Sequence, residues 1–176
     1  MTVGVAAKAF ALLFAAALLQ VVIVSSLVVG GGAADLLLVV VVALGLARGS
    51  IAGAVLGFTG GLVVDLVALD TLGITSLVLT LAGFWAGRYR ETTGRDRSLA
   101  PLIAVGAITV LAGVFGYGLH YLLGTDVVAR HALVTALVPA LVLNLVLAMP
   151  VYALVRRIVG EGEGVESAPE VEVLAS

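Results

Sequence analysis

Residues 45–65 read GLARGSIAGAVLGFTGGLVVD, and this stretch decides the fold. A glycine recurs at every fourth position, and the next step of the series is an aspartate; the positions are Gly45, Gly49, Gly53, Gly57, Gly61 and Asp65. Side chains four residues apart lie on the same face of a helix. The stretch therefore predicts a helix over about 51–69 with a glycine face, defined by Gly53, Gly57, Gly61 and Asp65.

Small residues on a membrane helix let a second backbone approach closely, so that dispersion and weak polar contacts drive association. Two interpretations stay open: packing within the chain, and a contact face for a partner membrane protein. Asp65 lies ~21 Å into the span counted from Ile51. A carboxylate inside the bilayer costs about 2.5–3.5 kcal/mol on insertion scales. We therefore expect Asp65 to face the bundle interior, either as a hydrogen-bonding group or as a functional one.

The composition outside this stretch indicates a membrane protein. Of the 176 residues, 62% are hydrophobic and 11% are charged, whereas a soluble domain is about half apolar and about a quarter charged. The chain has no cysteine, and its two histidines are not in ligand spacing, so we expect no disulfide, no metal site and no cofactor. No catalytic motif and no basic stripe for nucleic acid is present. The sequence therefore predicts an all-α integral membrane protein that is not an enzyme.

Charges and turn residues divide residues 1–159 into a bundle of about six transmembrane helices. The predicted spans are 9–29, 35–47, 51–69, 71–87, 99–123 and 132–155. Most approach the roughly 20 residues that cross a bilayer, but the second reaches only ~20 Å. It extends back through the preceding glycines, tilts little, or is re-entrant. Residues 160–176 are acidic and lack aromatic residues, which predicts a disordered cytoplasmic tail.

The positions of the basic residues predict the orientation. With six spans and a cytoplasmic N-terminus, eight of the nine basic residues face the cytoplasm and only Arg130 faces outward. This asymmetry follows the positive-inside rule and supports the short second span. Both termini are then cytoplasmic. The loop from Arg88 to Ser98 is predicted to be a basic cytoplasmic patch that anchors the topology, attracts anionic membrane lipid or docks a partner; its bases are Arg88, Arg90, Arg95 and Arg97.

A few other polar residues fall within or beside the spans. Gln20 and Asn144 lie near the middle of the first and last spans, and we expect each to form an interhelical hydrogen bond. Asp35 precedes the second span, where we expect a solvated position at the outer surface. Pro139 and Pro150 are expected to kink or loosen the last helix.

The stretch from Asp35 to Arg90 resembles the MreD family of bacterial rod-shape-determining proteins. The resemblance is carried by Asp35-Leu36-Leu37-Leu38, Arg48-Gly49, Gly53-x-x-x-Gly57-Phe58-x-x-Gly61-Leu62-x-x-Asp65, Leu72-Gly73, Gly83, Arg88 and Arg90. It covers about a third of the chain, and the remainder matches in hydropathy, length and six-span layout.

This resemblance implies a non-enzymatic scaffold or regulator of cell elongation and peripheral peptidoglycan synthesis in the bacterial cytoplasmic membrane. The implied partners are MreC, a single-span protein with a periplasmic coiled coil, and through it MreB and the RodA/class B penicillin-binding protein synthase. Helix faces and the basic loop would be the contact surfaces, and a homo-oligomer is left open. The alternative function is a substrate-binding subunit of an energy-coupling-factor vitamin transporter, since those subunits also have about six spans.

Overall fold

The computed structural model describes residues 3–22, 28–29, 32–69, 72–93, 99–122 and 130–160. Within these residues the chain forms six helices and one short antiparallel hairpin. The helices are α1 (Val3–Val22), α2 (Leu36–Arg48), α3 (Ser50–Ala68), α4 (Ile74–Thr93), α5 (Ala100–Leu122) and α6 (Arg130–Val159). The strands β1 (Val28–Val29) and β2 (Gly32–Ala33) pair between α1 and α2. The predicted all-α membrane bundle is confirmed.

Consecutive helices run antiparallel. Gly53 of α3 lies against Gly83 of α4, and Gly61 lies against Ser76. Residue numbers therefore increase along α3 while those of the contacting residues on α4 decrease. Gly106 of α5 faces Leu145 of α6 and Gly113 faces Leu137, so these two helices are antiparallel as well. Since six helices alternate in direction, α1 begins and α6 ends at the same end of the bundle, here called the terminal end; the opposite end is the distal end.

The central element is α2, which is apolar on every side. Its sequence is LLLVVVVALGLAR, and all residues from Leu37 to Ala47 are buried. A helix that is hydrophobic all round must be enclosed by other elements, and α2 contacts each of the other five helices. With 13 residues it spans only ~20 Å. Four of the surrounding helices (α1, α3, α5 and α6) are long and apolar enough to cross a membrane.

The helices differ from the predicted spans at several ends, most clearly at two. The first span was expected to continue to residue 29, but α1 ends at Val22 and β1 and β2 follow. The run VVGGGA explains this difference, because each glycine disfavours a helix by about 1 kcal/mol and valine favours extended backbone. The fourth span was expected to end at residue 87, but α4 continues to Thr93. Helix α6 runs unbroken through Pro139 and Pro150.

Several sequence predictions fall outside the described residues. These are the positions of Arg95 and Arg97 in the basic loop and the state of the tail beyond Gly160.

Candidate functional site

The glycine face of α3 packs against α4 of the same chain. A Cβ atom added at Gly53 would overlap the backbone of Gly83, and one added at Gly57 would overlap the backbone of Leu79. At Gly61 it would overlap the backbone of Ser76. Only glycine permits this approach, so the structure places these residues in an intramolecular contact. These glycines are therefore covered by α4 and are not exposed to another protein.

Helix α4 supplies glycines of its own to this contact. A Cβ at Gly83 would overlap the backbone of Gly53, and one at Gly87 would overlap the backbone at Gly49 and Ser50. The glycine series on α3 is evident from the sequence, but its counterpart on α4 was not predicted. The signal was present, since Gly83 and Gly87 are also four residues apart.

Asp65 ends the glycine face and binds the beginning of α4. Its side chain is 1% exposed. Its Oδ2 accepts hydrogen bonds from the backbone N–H of Gly73 at 2.8 Å and of Ser76 at 3.4 Å, and from the Ser76 hydroxyl at 3.3 Å. The first N–H groups of a helix have no partner within the helix, and a carboxylate there is also favoured by the helix dipole. Asp65 thus faces the interior, as expected. Its Oδ1 is buried without a partner among the described residues.

Gln20 and Asn144 both bind the beginning of α2. The Gln20 Oε1 accepts from the backbone N–H of Leu36 at 2.8 Å, and its Nε2 donates to the Ala34 carbonyl at 3.1 Å. The Asn144 Oδ1 accepts from the backbone N–H of Asp35 at 2.7 Å. In a bilayer no water is available for such groups. The two polar residues therefore allow α2 to begin inside the bundle.

The structure corrects the expected position of Asp35. It is partly buried and is the N-cap of α2, with Oδ1 accepting from the backbone N–H of Leu38 at 2.9 Å. Asn144 binds its backbone and also donates from Nδ2 to the Thr109 hydroxyl at 3.2 Å. Because α2 is short, its first residue lies within the bundle rather than at a solvated surface.

At the terminal end, α4 holds the turn between α2 and α3. The Glu91 Oε1 accepts from the backbone N–H of Ser50 at 2.9 Å and from its hydroxyl at 2.8 Å. These hydrogen bonds lower the pKa of Glu91, with a smaller contribution from Arg88. Arg90 donates to the Ala47 carbonyl at the end of α2 at 2.6 Å. Arg88 and Arg90 therefore lie on α4, and not in a loop as predicted.

A cavity of about 310 Å³ lies toward the distal end, between the beginning of α2 and helices α4, α5 and α6. Its polar lining residues are Asp35, Thr75, Thr109 and Asn144. A second, apolar groove of about 150 Å³ lies between α4 and α5 and includes Trp85 and Phe115. Among the described residues no group of three His, Cys, Asp or Glu side chains is arranged to hold a metal ion.

The face of α3 opposite the glycines is exposed and apolar. Its residues are Ile51, Val55, Phe58, Leu62 and Leu66, here called the outer α3 stripe. Steps of four and three residues separate them, which is the spacing of a helix–helix seam.

Comparison with known proteins gives one match. A protein-family model described as the rod shape-determining protein MreD matches residues 4–159, nearly the whole chain. Neither the curated proteins nor the solved structures contain a significant match to this chain.

Proposed function

Because the chain belongs to the MreD family of rod shape-determining proteins, we propose that it is a non-enzymatic scaffold of the bacterial cell-elongation complex and binds an MreC-type partner through an exposed helix face. Membership gives it a role in rod shape determination, and its apolar helices make it a multi-pass membrane protein. The family match favours this function over the vitamin-transporter alternative.

The observation that carries the proposal is the division of the α3 motif between two faces. Gly53, Gly57 and Gly61 are in close contact with the backbone of α4. Phe58 and Leu62 belong to the same motif, yet their side chains are 52% and 38% exposed. Packing within the chain therefore involves the glycines, whereas the phenylalanine and leucine face the surroundings of the bundle, where lipid or a partner helix contacts them. A partner helix on the outer α3 stripe would give both side chains a contact.

The partner expected there is a single transmembrane helix. The stripe from Ile51 to Leu66 follows the helix for almost its full length, so it presents a seam rather than a pocket. Apolar burial gives no net drive between helices in lipid, and association rests on close side-chain packing. The aromatic ring of Phe58 supplies the largest side chain of that seam. An MreC-type protein contributes one such helix, and MreB and the RodA/class B penicillin-binding protein synthase are reached through it.

The orientation follows from the basic residues at the terminal end. Lys8 lies near the beginning of α1, Arg48 ends α2, Arg90 is in the last turn of α4, and Arg156 and Arg157 are in the last turn of α6. The positive-inside rule assigns this end to the cytoplasm. The cytoplasmic membrane is then the location, and these bases lie where anionic lipid headgroups are found.

Co-purification in detergent with MreC from the same organism tests the proposal. The variant Phe58→Ala/Leu62→Ala should lose most of the MreC retained by the wild type. The control is Phe14→Ala/Leu18→Ala on α1, which changes the same residue types at the same spacing and at similar exposure, 43% and 40%. Retention unchanged in the α3 variant, or lost only in the α1 variant, would contradict docking on the outer α3 stripe.

A further inference from the structure

The distal cavity is lined by one acidic side chain, Asp35. The carboxylate caps α2 through Oδ1, whereas Oδ2 has no hydrogen-bond partner among the residues that the structure describes. Thr75 and Thr109 also line the cavity, and no lysine, arginine or histidine lines it within the described chain. The cavity therefore offers hydrogen-bond acceptors and one acidic side chain without a basic side chain beside it.

This polar cavity lies next to the apolar groove between α4 and α5. Val78 and Ala112 line both spaces, so the two meet at these side chains. From that junction the groove runs along α4 to Trp85, which is 57% exposed toward the surroundings of the bundle. The combined space thus has a polar chamber at one end and an apolar channel open at its side.

We propose that this space binds a membrane amphiphile whose head is an ammonium group and whose tail is an alkyl chain. The ammonium donates to the free oxygen of Asp35 and to the Thr109 hydroxyl, and the alkyl chain passes Val78 and Ala112 to lie against Trp85. A chamber of this size falls near the lower limit of small-molecule sites, ~300 Å³. It suits a head group better than a whole drug-sized ligand.

Charge complementarity selects the ammonium head. A phosphate or carboxylate head beside Asp35 would meet a like charge in a low-dielectric setting, where such repulsion is weakly screened. A hydrogen bond between charged partners is also stronger than one between neutral groups. A primary ammonium is present in ethanolamine-headed phospholipids and in phosphate-free alkylamines, and the experiment separates these two sources.

Trp85 is the single tryptophan of the chain, and its fluorescence reports on the groove. The purified protein in neutral detergent is titrated with 12-bromododecylammonium, whose bromine quenches a tryptophan in contact, and with 12-bromododecanoate as the matched anionic probe. The ammonium probe should quench in a saturable manner at a concentration about tenfold or more below the carboxylate probe. Asp35→Asn keeps a good helix cap and removes the charge, so it should abolish this preference.

A second pair of variants tests the path of the chain. Ala112→Phe fills the junction between the cavity and the groove and should abolish saturable quenching. Val114→Phe adds the same ring at a side chain of α5 that is 54% exposed and does not line either space, and it should behave like the wild type. Lyso-phosphatidylethanolamine that displaces the probe would identify a phospholipid as the source, and displacement by unlabelled dodecylammonium alone would identify a phosphate-free amine. Equal quenching by both brominated probes, or a preference that survives in Asp35→Asn, would overturn the proposal.

Discussion

Asn144 of α6 accepts a hydrogen bond from the backbone N–H of Asp35 at 2.7 Å, across 109 residues of sequence. The same side chain donates to Thr109 of α5 at 3.2 Å. One amide therefore joins three helices at the point where the chain enters α2. Gln20 supports the next N–H along the backbone, that of Leu36. The start of the central helix depends on side chains from the first and last helices.

Asn144→Leu should destabilise the bundle by about 1–2 kcal/mol, because it leaves the Asp35 N–H and the Thr109 hydroxyl unpaired inside the membrane. Thermal unfolding in detergent measures the effect. Val142→Leu, at a side chain of the same helix that is 55% exposed, is the control and should leave the unfolding temperature unchanged. Equal stability of the two variants would show that the Asn144 side chain does not stabilise the start of α2.

The α3–α4 contact should not tolerate even one methyl group. In Gly57→Ala the new Cβ meets the backbone of Leu79, and overpacking of this kind costs about 1–3 kcal/mol. Gly118→Ala on α5 is the matched control, since nothing lies within 4 Å of its added Cβ. Gel filtration and thermal unfolding in detergent measure the fraction of folded protein and the unfolding temperature. Both should decrease in Gly57→Ala and stay unchanged in Gly118→Ala. Unaltered folding of Gly57→Ala would mean that α3 and α4 are not in close contact.

Asp65→Asn should be tolerated, whereas Asp65→Leu should lose about 1–3 kcal/mol. The asparagine carbonyl can take the place of Oδ2 and accept from Gly73 and Ser76, but leucine leaves these donors without a partner. Unfolding of the purified variants and restoration of rod shape in a strain lacking the protein are the measurements. A loss of rod shape in Asp65→Asn with normal folding would instead assign Asp65 a functional charge.

Stability should decrease in acid through Glu91. Its hydrogen bonds to Ser50 lower its pKa in the folded protein from the ordinary value of 4.5. The contribution is therefore present above pH 4.5 and is lost as the pH falls through the lowered pKa. The unfolding temperature of the wild type should drop in this range by more than that of Glu91→Gln. Because Glu91 lies at the exposed end of α4, the two unfolding temperatures should differ only slightly. Identical acid profiles of the wild type and Glu91→Gln would contradict this prediction.

Local patterns in the sequence were sufficient to predict that the six helices exist and that α3 has a glycine face. The four-residue spacing of Gly53, Gly57 and Gly61 identifies a close helix contact, and the uniformly apolar sequence of α2 is typical of an enclosed helix. The spacing could not identify α4 as the other half of that contact. Both intramolecular and intermolecular packing favour small residues, so the choice between them needs the tertiary structure.

Long-range pairing could not be predicted. Gln20 and Asn144 were each expected to form an interhelical hydrogen bond, but nothing in their local sequence indicates that both bind residues 34–36. Asp35 was expected at the outer surface because it precedes the second span, and nothing in the local sequence indicates that α2 begins inside the bundle. The position of Arg90 on α4 was not predicted, because arginines that follow an apolar run occur both in helices and in loops.

We propose above that the transmembrane helix of an MreC-type partner binds to the outer α3 stripe. Site-specific photocrosslinking in living cells tests it most directly, with p-benzoylphenylalanine in place of Phe58 and, separately, of Phe14. We expect a crosslink to MreC from position 58 and little or none from position 14. A crosslink to MreC from position 14 with none from position 58 would contradict it.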